Sequence, residues 1–267
     1  MALAVACSAE PSDASRDGSL FAETPSQQWR LPDRLREISG LAVTADGRVF
    51  AHDDERGVIY QLDAARGEVL KSFSLGEPAI RDDFEGLAIT PNGDFWLTNS
   101  QGELYSFREG ADGAHVEYQR HDVGLADVCE IEGLAYLAET TSLIFACKRP
   151  YENGGEMAWT PLRSWAIGDY ATGPWAQTRD NFATLAGVHR FQPSGVEIDP
   201  ASGRVIVISA GNPALVELDH EGNVLAARRL RGHPQPEGVT VLPDGSLIVS
   251  DEAAGGHPRL SRYSRIP

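Results

Sequence analysis

The sequence predicts an all-β fold, a single β-propeller of five four-stranded blades, on three observations. A five-residue phrase recurs, a turn signal follows most copies, and no stretch carries the apolar period of a long amphipathic helix. The phrase reads Ile38-Ser39-Gly40-Leu41-Ala42, Phe84-Glu85-Gly86-Leu87-Ala88, Ile131-Glu132-Gly133-Leu134-Ala135, Pro193-Ser194-Gly195-Val196-Glu197 and Pro236-Glu237-Gly238-Val239-Thr240. Repeats of roughly 40 to 50 residues mark propellers or solenoids, because one such unit cannot bury its own apolar face and must stack on the next.

Each element of a module follows from local residue types. The phrase is the first strand. The turn signals are Ala45-Asp46-Gly47, Pro91-Asn92-Gly93, Asp199-Pro200-Ala201-Ser202-Gly203 and Pro243-Asp244-Gly245, whose Gly, Asn and Pro suit tight hairpins. Second strands are short apolar runs such as Phe95-Trp96-Leu97 and Val205-Ile206-Val207-Ile208, rich in β-branched and aromatic residues. Third strands alternate more openly, as in Val58-Ile59-Tyr60-Gln61-Leu62 and Arg259-Leu260-Ser261-Arg262-Tyr263, which suits a half-wet position. Val69 to Phe73 and Val224 to Arg228 supply fourth strands. The last module lacks one, so the segment around Gln27-Gln28-Trp29-Arg30-Leu31 is expected to complete it from the other terminus and remove an exposed edge.

The third module is long between Arg149 and Arg190 and holds Trp159, Trp165 and Trp175. It reads either as an insertion over one face of the ring, contributing apolar contacts to a ligand, or as a degenerate sixth blade; the absence of a sixth phrase favours the insertion. Of three cysteines, Cys129 and Cys147 fall in this module. With a hairpin turn over Ala138 to Thr141, Cys147 sits opposite Glu132 and out of bonding reach of Cys129, so free thiols are expected.

With 267 residues and 42% hydrophobic content, the propeller is expected to occupy residues 27–267 as one domain. A net charge of -16 speaks against nucleic acid and anionic membrane as main partners and favours cations or neutral ligands. Residues 1–26 read as a truncated lipoprotein-like signal, Met1 to Cys7, followed by a disordered polar tether. Cell-envelope location is therefore expected, on the periplasmic side or anchored through a lipidated Cys7, with a cytoplasmic protein as the alternative.

Inner strands of a propeller line its channel, so equivalent positions form rings. Residues two apart share a strand face, which pairs Glu37 with Ser39, Asp83 with Glu85, Glu130 with Glu132, Gln192 with Ser194 and Gln235 with Glu237. Six of these ten are carboxylates, and crowding them raises their pKa values or recruits a cation. Second strands end in Asp53-Asp54, Asn99-Ser100, Lys148-Arg149, Ala210-Gly211 and Asp251-Glu252 near the same mouth. An all-oxygen set without thiols selects Ca²⁺, with Asp53, Glu85, Asn99, Glu132 and Glu237 as candidate metal ligands. The competing reading is that these Glu residues bond backbone amides of the next blade. Lys148 is expected to neutralise part of the ring, to meet a ligand's phosphate or carboxylate, or to pair with Glu130 or Glu132. His52 stands beside the presumed mouth as a candidate base.

No Gly-x-Ser-x-Gly elbow, phosphate-binding loop or His-Glu-x-x-His motif is present. The phrases, together with Leu35-Arg36-Glu37 before the first and Gln235 before the last, resemble the SdiA-regulated family of bacterial propellers over about Leu31 to Tyr263. The resemblance, shared more loosely with esterase-like phytase and NHL-repeat propellers, implies a five- or six-bladed ring, envelope association and calcium in the channel. Three functions are compatible: a calcium-containing propeller that binds a small molecule or a protein at the channel mouth; a metal-dependent hydrolase of phosphoesters, esters or lactones, with Asp53, Glu85 or His52 as base; and an interaction scaffold in which the ring serves stability.

Overall fold

Each phrase forms the innermost strand of a four-stranded antiparallel blade, and five such blades close a ring. The computed structural model describes residues 18–150, 162–167, 172–174 and 182–267. Blade one runs Ile38–Val43, Val49–Asp53, Val58–Asp63 and Glu68–Leu75. Blade two runs Phe84–Ile89, Asp94–Asn99, Glu103–Arg108 and Tyr118–Asp122. Blade four runs Pro193–Ile198, Val205–Ser209, Ala214–Leu218 and Val224–Arg229. A short strand, His115–Val116, pairs in parallel with the outer strand of blade one and ties blade two to it.

Blade five takes Pro236–Val241, Leu247–Asp251 and Arg259–Tyr263 from the C-terminal end, and its outermost strand is Gln27–Arg30, paired antiparallel to Arg259–Tyr263. This is the closure expected from the missing fourth strand. The expected tether is shorter than residue 26, however. Phe21 is fully buried between blades four and five, and buried Glu217 accepts hydrogen bonds from Ser19 Oγ at 2.5 Å and from the Leu20 N–H at 3.1 Å. An apolar side chain in a blade interface and two donors to a buried carboxylate fix this segment to the domain. Cys7 lies outside the described residues.

The long third module is a complete blade. Cys129–Leu137 and Ser142–Pro150 are followed by Leu162–Ala166 and Thr172–Pro174 as third and fourth strands, so no sixth blade is needed. Trp165, expected at a ligand loop, is instead fully buried and stands edge-on to Trp96 of blade two with ring centroids 5.8 Å apart. Trp159 and Trp175 lie outside the described residues.

The core is divided among the blade interfaces. One cluster joins each neighbouring pair, including Phe50, Phe73 and Phe95 between blades one and two and Leu35, Ile38 and Ile248 between blades five and one. The hairpin turns bear out the turn signals: Gly47, Gly93, Gly203 and Gly245 have φ of 86, 81, 71 and 82°, where a side chain is strained.

The inner strand of every blade carries a β-bulge at the phrase. Phe84 pairs with Asn99 but Gly86 with Thr98, Pro193 with Ser209 but Gly195 with Ile208, and Pro236 with Asp251 but Gly238 with Ser250. The extra residues are Glu85, Ser194 and Glu237. The same shift falls between Ile38 and Leu41 and between Ile131 and Leu134, taking in Ser39 and Glu132. A bulge leaves one residue unpaired and re-aims its side chain, so the repeated oxygen-bearing residue is turned out of the ladder at equivalent places around the ring.

The bulge also overturns the expectation of free thiols. It advances the register by one, so Cys147 pairs with Ile131 rather than with Glu132. Side chains alternate along a strand, and this shift puts Cys147 on the face that Cys129 shares with Ile131. Cys129 and Cys147 form a disulfide with Cα atoms 5.6 Å apart, fully buried against Trp165 and Ile131.

Candidate functional site: two mouths of one channel

The glycine of each phrase sets the width of the channel. A Cβ on Gly86 would lie 2.6 Å from Leu134 N of blade three, one on Gly133 would lie 3.0 Å from Gly195 Cα of blade four, and one on Gly195 would lie 2.5 Å from Glu237 O of blade five. Gly238 then meets Ser39 O of blade one at 3.0 Å, and Gly40 meets Leu87 N of blade two at 3.1 Å. The contacts run once round the ring, so absent side chains let five inner strands approach more closely than Cβ atoms ordinarily allow. The waist they form encloses only about 10 Å³, with Glu85 and Glu237 at its lining. The channel is therefore two separate mouths.

One mouth is acidic. Burial first, then Glu132, Asp83 and Glu237, push the Glu85 carboxyl far above the usual carboxylate range. Burial likewise raises Glu132, opposed by Lys148, whose Nζ stands 2.8 Å from Glu132 Oε1 and 3.7 Å from Glu130 Oε1. Burial pulls the Lys148 ammonium down, but the Glu132 contact outweighs it and holds the group above its ordinary value. Glu237 is lifted to about 8 by burial and then Glu252. Glu252 is lifted to about 7 by burial and then Glu37 and Asp54. Asp54 is lifted to about 6 by burial and then Asp53 and Glu37. Gln235 Nε2 bridges Glu237 Oε1 at 3.2 Å and Glu252. Ser39 Oγ donates to Glu85 Oε2 at 3.3 Å.

At the rim of this mouth Glu37, Asp54 and Glu252 each offer a carboxylate oxygen within 4.8 Å of the others. They form the one such group of three among the described residues. Backbone bonds place them: Asp54 N–H donates to Glu37 O at 3.1 Å, and Ala253 N–H donates to Arg36 O at 2.9 Å, tying blade five to blade one. Asp54 Oδ1 is buried with no hydrogen-bond partner.

Of the five residues expected to hold metal, Glu85, Glu132 and Glu237 face the acidic channel, whereas Asp53 and Asn99 are engaged elsewhere. Asp53 pairs with Ile38 and so shares its inward face; its carboxylate accepts from Glu55 N–H at 3.2 Å and lies 3.5 Å from Arg56 Nη2. Asn99 pairs with Phe84 and closes a turn, accepting from Gln101 and Glu103 N–H at 3.1 and 2.8 Å while donating to Asp82 at 2.9 Å. Asp54 and Glu252, one residue past the paired positions, reach the mouth instead. The alternation of side chains along the second strand was the signal for Asp54 over Asp53.

His52, the candidate base, is enclosed rather than open to the mouth. It is fully buried, its Nε2 has no hydrogen-bond partner, and burial lowers its pKa to about 4, which keeps it neutral. His233 is also enclosed, its Nδ1 2.8 Å from Asp251 Oδ2 and its Nε2 2.5 Å from Tyr263 OH, a tie within blade five away from solvent.

The opposite mouth, at the far ends of the inner strands, is an apolar bowl of about 340 Å³. The fifth residue of the phrase is Ala42, Ala88 and Ala135 in the first three blades, and all three line the bowl. In blade four it is Glu197, the one charged residue in the lining. No helix among the described residues is long and apolar enough to cross a membrane.

No curated protein matches the chain by sequence. Among solved structures, the glutaminyl cyclase of Myxococcus xanthus is similar at a TM-score of 0.61 and 14% identity, covering 90% of this chain and 94% of that one. A gluconolactonase from Xanthomonas campestris is similar at 0.52 and 17%, covering 85% and 72%. A luciferin-regenerating enzyme is similar at 0.51 and 13%, covering 86% and 78%. At such identities the likeness establishes the fold. The family model described as SdiA-regulated matches residues 177–257, a span that holds the phrases of blades four and five. Over that span the chain is similar to the SdiA-regulated family.

Proposed function

We propose that this is an exported propeller that holds Ca²⁺ at its acidic mouth through Glu37, Asp54 and Glu252, and that the ion takes part in binding a small molecule or a protein partner. The observation that carries this reading is the convergence of three carboxylates on one point beside a buried, unpartnered Asp54 oxygen. Carboxylates so close repel one another unless a proton or a cation intervenes, and hard oxygen ligands in irregular geometry suit Ca²⁺. Glu237, Glu132 and Glu85 add to the same field, and Lys148 opposes it. The buried Cys129–Cys147 disulfide is consistent with an oxidising compartment, which supports export, and attachment through a lipidated Cys7 belongs to the same proposal.

Thermal melting tests it. After chelation, added Ca²⁺ raises the midpoint of the wild type and leaves that of Asp54→Asn/Glu252→Gln unchanged; equal responses, or none, remove the ion. One observation favours metal-assisted hydrolysis of esters, lactones or phosphoesters as a second reading. Glu37 is exposed and its two companions are half-buried, which leaves outward coordination positions open to substrate and water. Turnover of a generic substrate panel that requires Ca²⁺ and is lost in the double variant supports hydrolysis; Ca²⁺ binding without turnover supports the binder.

A further inference from the structure

The apolar mouth has features that neither the fold nor the acidic mouth requires. Position five of the phrase is small in three blades, as a narrow bowl demands. In blade four a Glu stands there, half-buried, and the protein has built around it. Thr240, the equivalent residue of blade five, is fully buried and donates its hydroxyl to Glu197 Oε2 at 2.7 Å. The Ile198 N–H donates to Oε1 at 2.8 Å. These bonds, with a third from the Val241 backbone N–H, fix the carboxylate in one orientation, and its two oxygens keep capacity for a further donor.

No Lys, Arg or His among the described residues lies within ion-pair distance of Glu197. The nearest charge acting on it is another carboxylate, Asp199, which is itself held by Arg265 at 2.9 Å. The rest of the bowl is uncharged and, Thr44 and the Tyr136 hydroxyl aside, apolar, with Leu87 and Leu134 toward the waist. An enclosed apolar volume of this size with one oriented acid is the arrangement that binds small molecules, the apolar wall supplying affinity and the polar group orientation. A single negative charge without a cation selects a ligand that brings one.

We propose that this second mouth is a binding site for an apolar small molecule carrying one ammonium group, with Glu197 as its anchor. Burial lifts the Glu197 carboxyl to about 7, so the site gains its charge near neutrality and binds the amine more tightly as the pH rises from 6 to 8. A neutral ligand of the same shape shows no such dependence. The site stands on its own residues, independent of Ca²⁺ at the other end, because the glycine waist admits nothing between them.

The test is calorimetric titration of the intact chain at about pH 8 with 2-phenylethylamine, 2-phenylethanol and 3-phenylpropionate, which share an apolar body and differ in charge. The amine is expected to bind about tenfold more tightly than the alcohol, with the carboxylate weakest. Glu197→Gln is expected to bring the amine down to the affinity of the alcohol. Ala88→Trp, which fills the bowl and leaves the acid in place, abolishes binding of both. Asp54→Asn/Glu252→Gln leaves the amine affinity unchanged, and that separates this site from attraction to the acidic mouth. Equal affinity for all three ligands, no binding by any, or an amine preference that survives Glu197→Gln overturns the proposal.

Discussion

The two mouths are opposite ends of the same five strands, separated by one layer of glycine, yet their chemistry is opposed. At one end carboxylates from four blades gather, with Lys148 in contact with Glu132 among them; at the other, three alanines surround a single Glu197. Backbone repetition sets a common geometry for both, through the glycine contacts and the bulge in each inner strand. Departures from the repeat set the chemistry. Ser39 and Ser194 stand where the other blades place Glu, and Glu197 stands where three blades place Ala. Symmetry thus builds the frame, and the residues that break it assign the functions.

The sharpest way to break this comparison is to remove the waist. Gly86→Ala drives a Cβ to 2.6 Å from backbone of the next blade, which no rotamer relieves, so a loss of about 3 kcal/mol in denaturant unfolding or a failure to fold is expected. A loss below about 1 kcal/mol would show that the blades do not meet so closely. Replacing both Cys129 and Cys147 by Ala opens a link across 18 residues and is expected to cost about 3 kcal/mol. It leaves both ligand responses in place, because the bridge lies in the core and faces neither mouth.

The pH dependence separates the mouths next. The folded Glu237 and Glu252 carboxyls hold protons up to about 8 and about 7, against 4.5 for the ordinary carboxyl, so the folded state binds more protons across that window. Stability without metal therefore falls as the pH rises from 5 to 8, and falls further above that through Glu85, which holds its proton to about 10. Lys148→Met is expected to steepen the fall and to raise Ca²⁺ affinity, since it removes the positive charge beside Glu132. Smallest of all, Glu197→Gln keeps the side chain's size and is expected to change stability by about 1 kcal/mol, with no effect on the Ca²⁺ response. A Ca²⁺ response that moved with Glu197 would join the two mouths into one site.

Much of the frame was readable in the residues. The phrase marked each inner strand, the turn signals marked the hairpins, and a missing fourth strand beyond Tyr263 pointed to Gln27–Arg30. What escaped was local register. Two residues apart on a regular strand share a face, but a bulge inserts one residue and inverts that parity, so Cys147 turned toward Cys129. The inward face of Ile38 claimed Asp53, and Phe84 claimed Asn99, while Asp54 and Glu252, adjacent to such paired positions, reached the mouth. Trp165 was misjudged because blade three has long connections between its outer strands, which hid a complete blade inside an apparent insertion. Glu197 was visible in the repeat all along, as the one acid at a position otherwise held by Ala or Thr.

The acidic mouth as a cation site is tested most directly by calorimetric Ca²⁺ titration at about pH 8 of chelated wild type and of Asp54→Asn/Glu252→Gln, each followed by melting. The account predicts one ion bound by the wild type, with a midpoint increase of about 5 °C at a hundredfold excess over Kd, and no binding by the variant. No heat and no shift in the wild type, or the same binding in the variant, would contradict it.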